Sequence, residues 1–79
     1  MSPEPALVVY TKHDCPLCEE FTLRLKHHRI RFETRDIREN TDWYHRYRER
    51  VPVVQLSDGK EVDPPFSDLW LSSLYLVYR

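Results

Sequence analysis

The sequence lacks three features that would assign it to common classes of protein. No apolar run approaches the roughly 20 residues of a membrane span, so we expect no membrane association. The formal net charge is only -1, which argues against a general nucleic-acid binder. Residues 1–5 contain an acidic residue and prolines where a signal peptide needs basic residues, and we therefore expect a reducing, cytoplasmic setting.

The chain also contains no internal repeat, low-complexity tract or linker. With 79 residues it has room for one small core, so we expect a single domain over residues 1–79, acting as a monomer. Hydrophobic residues make up 41% of the chain and charged residues 32%, a balance that is neither membrane-like nor disordered. The composition is therefore that of a globular domain.

Only two cysteines are present, and they stand three positions apart as Cys15 and Cys18. This spacing brings two sulfurs within bonding distance at the start of a helix, which predicts a dithiol redox site. A structural disulfide is a weaker interpretation, because so short a loop constrains the unfolded chain little. Zinc is weaker too: there is no second cysteine pair, and His27 would lie ~13 Å from Cys18 along the same predicted helix. We expect no metal.

The residues around the pair predict different roles for the two thiols. Pro16 suits the first position of a helix, which puts Cys15 at or beside the N-cap. The helix dipole and the cation of Lys12, with His13 as a second candidate, are expected to lower the pKa of the Cys15 thiol and make it the attacking group. Cys18, one turn later, is expected to be buried and to resolve the mixed disulfide.

Periodicity predicts an α/β fold with the order βαβαββα, in which a four-stranded mixed sheet is flanked by three helices. The apolar run 6–10 indicates a central strand, the alternating segment 30–37 an edge strand, and Asp58-Gly59 a hairpin turn between strands at 52–56 and 61–62. Helices are expected from residue 16 to about 28, from about 41 to about 50, and from residue 66 to about 75. The apolar positions expected to pack on the sheet are Leu17, Phe21, Leu25, Trp43, Tyr47, Val51, Leu69, Trp70, Leu71 and Leu74.

A Cys-x-x-Cys at a strand-to-helix junction in this element order resembles the thioredoxin fold. The segment Thr11–Cys18 resembles the glutaredoxin form of the site, and the missing Trp-Cys-Gly-Pro-Cys disfavours thioredoxin itself. Val51-Pro52 matches the Val-Pro of that family, and Asp58-Gly59 matches its hairpin turn. Residues 47–54 are especially similar to small bacterial glutaredoxin-like proteins. The resemblance covers nearly the whole chain.

This resemblance implies a thiol–disulfide oxidoreductase of electron transport, in which Cys15 is the nucleophile and Cys18 the resolving thiol. Lys12 would be the cation beside the thiolate. Pro52 would be a cis-proline that faces the dithiol, and Val51 would offer backbone hydrogen bonds to a bound peptide. The implied partners are disulfide-containing protein substrates and a reductant, either glutathione or a thioredoxin-reductase-type enzyme, with no bound cofactor.

One segment departs from the family pattern. Glutaredoxins that bind glutathione well usually carry Gly-Gly and acidic residues at the start of the last helix, where this chain has Pro64-Pro65-Phe66-Ser67-Asp68. Prolines cannot donate the N–H bonds of that site, so Asp68 is the remaining candidate contact for glutathione or another substrate. The alternative function is a non-catalytic thioredoxin-fold binding module that docks a partner or carries a metal or iron–sulfur centre.

Overall fold

A mixed four-stranded sheet lies at the centre of the computed structural model, which describes residues 6–79. The predictions made for residues 1–5 lie outside this range. The strands are β1 (Leu7–Thr11), β2 (Phe32–Asp36), β3 (Val53–Gln55) and β4 (Glu61–Val62), in the spatial order β2-β1-β3-β4. β1 pairs in parallel with β2 and antiparallel with β3, and β3 pairs antiparallel with β4. The predicted mixed sheet, with a parallel crossover followed by a hairpin, is confirmed.

The apolar sequence of β1 follows from its central position. Leu7 and Val9 point to one face of the sheet, Val8 and Tyr10 point to the other, and all four side chains are buried. Each burial of a side chain of this size contributes roughly 1.5–3 kcal/mol, so the strand needs cover on both faces. That cover is what fixes β1 between its neighbours.

Three helices provide the cover: α1 (Pro16–His27), α2 (Thr41–Tyr47) and α3 (Asp68–Tyr78). α1 and α3 pack on the face of Leu7 and Val9, whereas α2 packs on the opposite face with Val8 and Tyr10. A short 3₁₀ turn, Ile37–Glu39, joins β2 to α2 and buries Ile37. The predicted order of elements is therefore confirmed.

The helix boundaries differ from the predictions by a few residues. α2 ends at Tyr47, not near Arg50, and the chain then tightens into a turn in which the Tyr47 carbonyl accepts from both Arg50 N–H (2.8 Å) and Val51 N–H (3.1 Å). A residue that precedes proline is disfavoured in the helical region, so the chain leaves the helix before Pro52. α3 begins at Asp68, two residues later than predicted, and it extends to Tyr78.

Two leucines predicted to be buried are exposed. Leu69 is 83% exposed because the buried stripe of α3 consists of Leu71, Leu74 and Tyr78, and Leu69 lies on the opposite side of the helix. Leu17 is 63% exposed in the first turn of α1, one turn before the buried Phe21. There it lines a groove at the end of the domain instead of the core.

Candidate functional site

Cys15 caps the N-terminus of α1 with its own sulfur. Its backbone is extended (φ -112°, ψ 101°), Pro16 occupies the start of the helix, and the N–H of Cys18 donates to Cys15 Sγ at 3.2 Å. The sulfur thus takes the place that a serine or aspartate oxygen has in most helix caps. The predicted position of Cys15 is therefore found, and a negative charge on its sulfur would meet an N–H donor and the positive end of the helix dipole.

The two sulfurs are joined in a disulfide between Cys15 and Cys18, with Cα atoms 5.2 Å apart. Cys18 is 3% exposed and packs into the sheet side of α1, whereas Cys15 is half-buried. An incoming substrate sulfur can reach Cys15 more easily than Cys18, which is the asymmetry a two-step exchange requires.

Lys12 and His13 lie on the exposed loop before the helix. Both line a polar cavity of about 380 Å³ that also reaches Cys18 and includes the carboxyl side chains of Asp14 and Glu19. The ring of His13 lies 3.4 Å from the carboxylate of Asp14, a neighbour that sequence reasoning overlooked. Asp14 has a positive φ of 60°, which turns the chain into the cap. Of the two predicted cations, Lys12 is the one without such a neighbouring carboxylate contact in the described residues.

Val51 and Pro52 follow α2 and approach the same end of the domain. Their peptide bond is cis, as the resemblance implied, and Pro52 is buried. The N–H of Val51 already donates to the carbonyl of Tyr47. Because the amide hydrogen of Val51 is already bonded within the chain, the predicted backbone hydrogen bond to a peptide would have to use the Val51 carbonyl.

Asp68 begins α3, and its exposed carboxylate is paired within the chain. Ser67 caps the helix by accepting from Trp70 N–H at 3.1 Å, while Asp68 Oδ1 lies 2.7 Å from Arg24 Nη2 and 3.8 Å from His28 Nε2. The Arg24 guanidinium, with a smaller effect of His28, lowers the pKa of the Asp68 carboxyl. The predicted contact residue is therefore already paired with a cation of this chain.

Arg24 was not among the predicted site residues. Its Nη2 atom also donates to the carbonyl of Phe66 at 3.1 Å, so it ties α1 to the segment before α3. The available signal was helical spacing, because Arg24 stands seven residues after Leu17 and three after Phe21 and so shares their face of α1.

A groove runs along this face, and we call it the proline groove. Its volume is about 410 Å³, and it is lined by Leu17, Glu20, Phe21, Arg24, Pro52, Pro64, Pro65 and Phe66. It thus joins three predicted features: the dithiol helix, the cis-proline and the Pro64-Pro65 segment. The bond between these two prolines is also cis.

A second network supports the cis-proline segment from the other face of the sheet. The hydroxyl of the buried Tyr47 donates to Glu61 Oε2 at 2.7 Å, and Arg50 Nη2 lies 3.2 Å from Glu61 and 2.8 Å from Asp63. Burial, and then the Glu61 carboxylate, raise the pKa of the Tyr47 hydroxyl. The residue whose carbonyl holds Val51 is therefore itself anchored to β4.

Within residues 6–79, no three His, Cys, Asp or Glu side chains converge in a way that could hold a metal ion. The helices found there are too short or too polar to cross a membrane.

Comparison with known proteins matches this chain to one family. The family described as Glutaredoxin-like domain (DUF836) matches residues 6–72. The crystal structure of XcR50 from X. campestris is 32% identical in sequence and has a TM-score of 0.77, over 86% of this chain and 92% of that chain. The solution structure of the same protein is also 32% identical and has a TM-score of 0.75, over 86% of this chain and 88% of that chain. The solution structure of Ne2328 from Nitrosomonas europaea is 31% identical in sequence and has a TM-score of 0.64, over 95% of this chain and 94% of that chain.

Proposed function

Because this chain belongs to the glutaredoxin-like domain family and has a thioredoxin-like fold, we propose that it is an enzyme, a dithiol thiol–disulfide oxidoreductase. Its substrates in this proposal are protein or small-molecule disulfides. The observation that carries the proposal is the pair Cys15 and Cys18, with the more accessible sulfur at the N-cap of α1. A thiol redox role fits both the family and this pair.

The proposed reaction has two exchange steps. In the reduced protein, the Cys15 thiolate attacks one sulfur of the substrate disulfide, and the other substrate sulfur leaves as a thiolate that takes up a proton. The Cys18 thiolate then attacks Cys15 Sγ, which forms the Cys15–Cys18 disulfide and releases the second substrate thiolate. Two electrons pass from the dithiol to the substrate, and the protons lost by the two cysteines balance those gained by the substrate thiols.

Local geometry supports the order of these steps. The N–H of Cys18 and the start of α1 stabilise charge on Cys15, both as the attacking and as the leaving sulfur. Lys12 adds a positive charge on the loop that precedes Cys15, and His13 is a weaker contributor because the carboxylate of Asp14 lies 3.4 Å from its ring. Pro16 keeps Cys15 at the cap, and Pro52 with the carbonyl of Val51 shapes the place where the substrate disulfide lies.

A separate reductant must restore the dithiol after each turnover. Glutathione and a thioredoxin-reductase-type flavoenzyme are the two sources that this proposal includes. We place the cycle in the reducing cytoplasm, with the protein acting as a monomer and without a bound cofactor. Titration of the isolated protein against glutathione redox buffers, together with recycling by thioredoxin reductase, identifies both the potential and the reductant.

Two single substitutions test the chemistry. Cys15→Ser should abolish disulfide reduction, whereas Cys18→Ser should accumulate a mixed disulfide with the substrate that mass spectrometry detects. If both variants reduce disulfides as fast as the wild type, the proposal fails. Metal analysis of anaerobically purified protein tests the alternative binding module, since bound iron or zinc with no disulfide reduction would favour that function.

A further inference from the structure

The walls of the proline groove are apolar and partly aromatic. The ring of Phe21 stacks on that of Phe66 with centroids 4.3 Å apart, and Phe66 stacks in turn on Trp70 at 5.3 Å. Leu17 stands at the end next to the dithiol, since it lies between the two cysteines in sequence. The volume of about 410 Å³ falls within the range of ~300–1,000 Å³ typical of ligand pockets.

The backbone of this groove offers little hydrogen bonding. Pro52, Pro64 and Pro65 have no N–H, and the carbonyl of Phe66 already accepts from Arg24. A ligand that depends on backbone donors therefore finds few of them here. An apolar side chain requires none and gains from its removal from water.

The charged side chains that line the groove disfavour the binding of an anion. Arg24 is the cation that lines the groove, and its charge is neutralised by Asp68 at 2.7 Å. Glu20 also lines the groove, is exposed, and has no ion pair within residues 6–79. The groove thus presents one uncompensated carboxylate, which attracts a Lys or Arg side chain. The same carboxylate repels glutathione, because glutathione has two carboxylates and only one ammonium group.

From these observations we infer that the proline groove binds a polypeptide substrate through an apolar side chain next to its disulfide cysteine, with a basic residue nearby, in preference to glutathione. This inference rests on the proposed dithiol chemistry and names its substrate class. Glu20 and Leu17, which both belong to the α1 wall of the groove, then act as specificity-determining residues.

Thionitrobenzoate mixed disulfides test this preference in a single turnover of pre-reduced protein. The probes are the acetylated tripeptide amides Lys-Phe-Cys, Lys-Ala-Cys and Glu-Phe-Cys, and glutathione, each joined through sulfur to thionitrobenzoate. Attack by Cys15 releases coloured thionitrobenzoate, and Cys18 then frees the peptide thiol. We expect the Lys-Phe-Cys probe to react about tenfold faster than the Ala and glutathione probes. The Glu-Phe-Cys probe should be slower than its Lys counterpart, and Glu20→Gln should remove that difference.

Two leucines on α1 provide a matched pair of variants. Leu17 and Leu23 are both 63% exposed, but only Leu17 is among the groove-lining residues. Leu17→Ser should reduce the Phe-to-Ala rate ratio about threefold or more, whereas Leu23→Ser should leave it unchanged. Using a ratio cancels any change in the intrinsic reactivity of Cys15. Asp68→Asn should free Arg24 and raise the rate with the glutathione probe, but not with Lys-Phe-Cys.

The outcomes separate this inference from the proposed function. Equal rates for the Phe, Ala and glutathione probes, all well above those of dithiothreitol at the same thiol concentration, would overturn the groove assignment and leave the oxidoreductase intact. Rates no higher than those of dithiothreitol for every probe would overturn both. A faster glutathione probe, or a dimer that Leu17→Ser dissociates, would assign the groove to another occupant and also overturn the inference.

Discussion

The hydrogen bond of the Tyr47 hydroxyl gives a direct test of what stabilises the segment that leads to the cis-proline. Tyr47 is 1% exposed, its hydroxyl donates to Glu61 at 2.7 Å, and its carbonyl holds the N–H of Val51 before the cis-proline. Tyr47→Phe removes the hydroxyl and keeps the ring, which stacks on Tyr10 at 4.4 Å. The substitution therefore removes one hydrogen bond with little change in packing.

The expected loss of stability follows from the charge of the acceptor. Hydrogen bonds to charged groups contribute roughly 1.5–3 kcal/mol, and the lower end applies because Glu61 keeps its contact with Arg50 and is partly hydrated. We expect Tyr47→Phe to lower the free energy of unfolding by about 1.5 kcal/mol. In a domain of this size, that loss corresponds to a decrease in Tm of about 6–12 °C.

Urea unfolding and calorimetry measure this change, and Tyr44→Phe is the matched control. Tyr44 lies on the same helix, is half-buried, and has no hydroxyl hydrogen bond among the described residues. Its substitution should change stability by less than about 0.5 kcal/mol. The rate of disulfide reduction should stay near the wild-type value in both variants, because the Tyr47 carbonyl is retained.

The raised pKa of Tyr47 adds a pH dependence whose sign can be checked. Since the folded protein holds this proton more tightly than the unfolded chain, the stabilisation is complete below the unfolded value of 10.0 and is lost as the pH rises through the higher folded pKa. The difference between wild type and Tyr47→Phe should therefore shrink above pH 10. Equal stability of Tyr47→Phe and Tyr44→Phe at pH 7 would refute the reasoning.

Three further substitutions test other elements. Arg24→Gln should lower the free energy of unfolding near pH 7. The difference from wild type should diminish as the pH falls below 3.8, because the ion pair that lowers the pKa of Asp68 stabilises the fold only while the carboxyl is ionised. Urea titrations at several pH values measure this difference. Ser67→Ala removes the cap bond to Trp70 N–H and should cost about 1 kcal/mol in chemical unfolding, a result that an unchanged midpoint would contradict. Gly59→Ala should cost about 1–2 kcal/mol, seen as a lower Tm, because the φ of +93° strains any side chain even where no atom obstructs it.

Local sequence was sufficient to predict the dithiol and its setting. Cys15, Pro16 and Cys18 interact within a single turn, so their spacing alone predicts a helix cap with one accessible and one buried sulfur. The apolar run of β1 likewise predicts a strand with both faces covered. These features depend on neighbours only a few residues away, which a sequence displays directly.

Exposure at the helix ends was less predictable. Leu17 repeats with the four-residue spacing of the buried Phe21 and Leu25, yet it is exposed in the first turn of α1. Leu69 belongs to an apolar cluster in the sequence with Leu71 and Leu74, but it lies on the opposite side of α3 from the buried stripe. Periodicity therefore identifies the buried side of α1 without showing at which residue its packing begins, and in α3 it does not separate the two sides because both carry apolar residues.

The sequence by itself determined the order of elements, the redox pair and the altered segment at Pro64-Pro65, because each is written in adjacent residues. Only the tertiary structure decided the partner of Asp68, since Arg24 is 44 positions away and reaches it across the contact between α1 and α3. The same packing creates the proline groove and leaves Glu20 unpaired at its rim. The physical reason is that charge pairing and cavity shape depend on distances between distant segments, and those distances exist only once both faces of the sheet are covered.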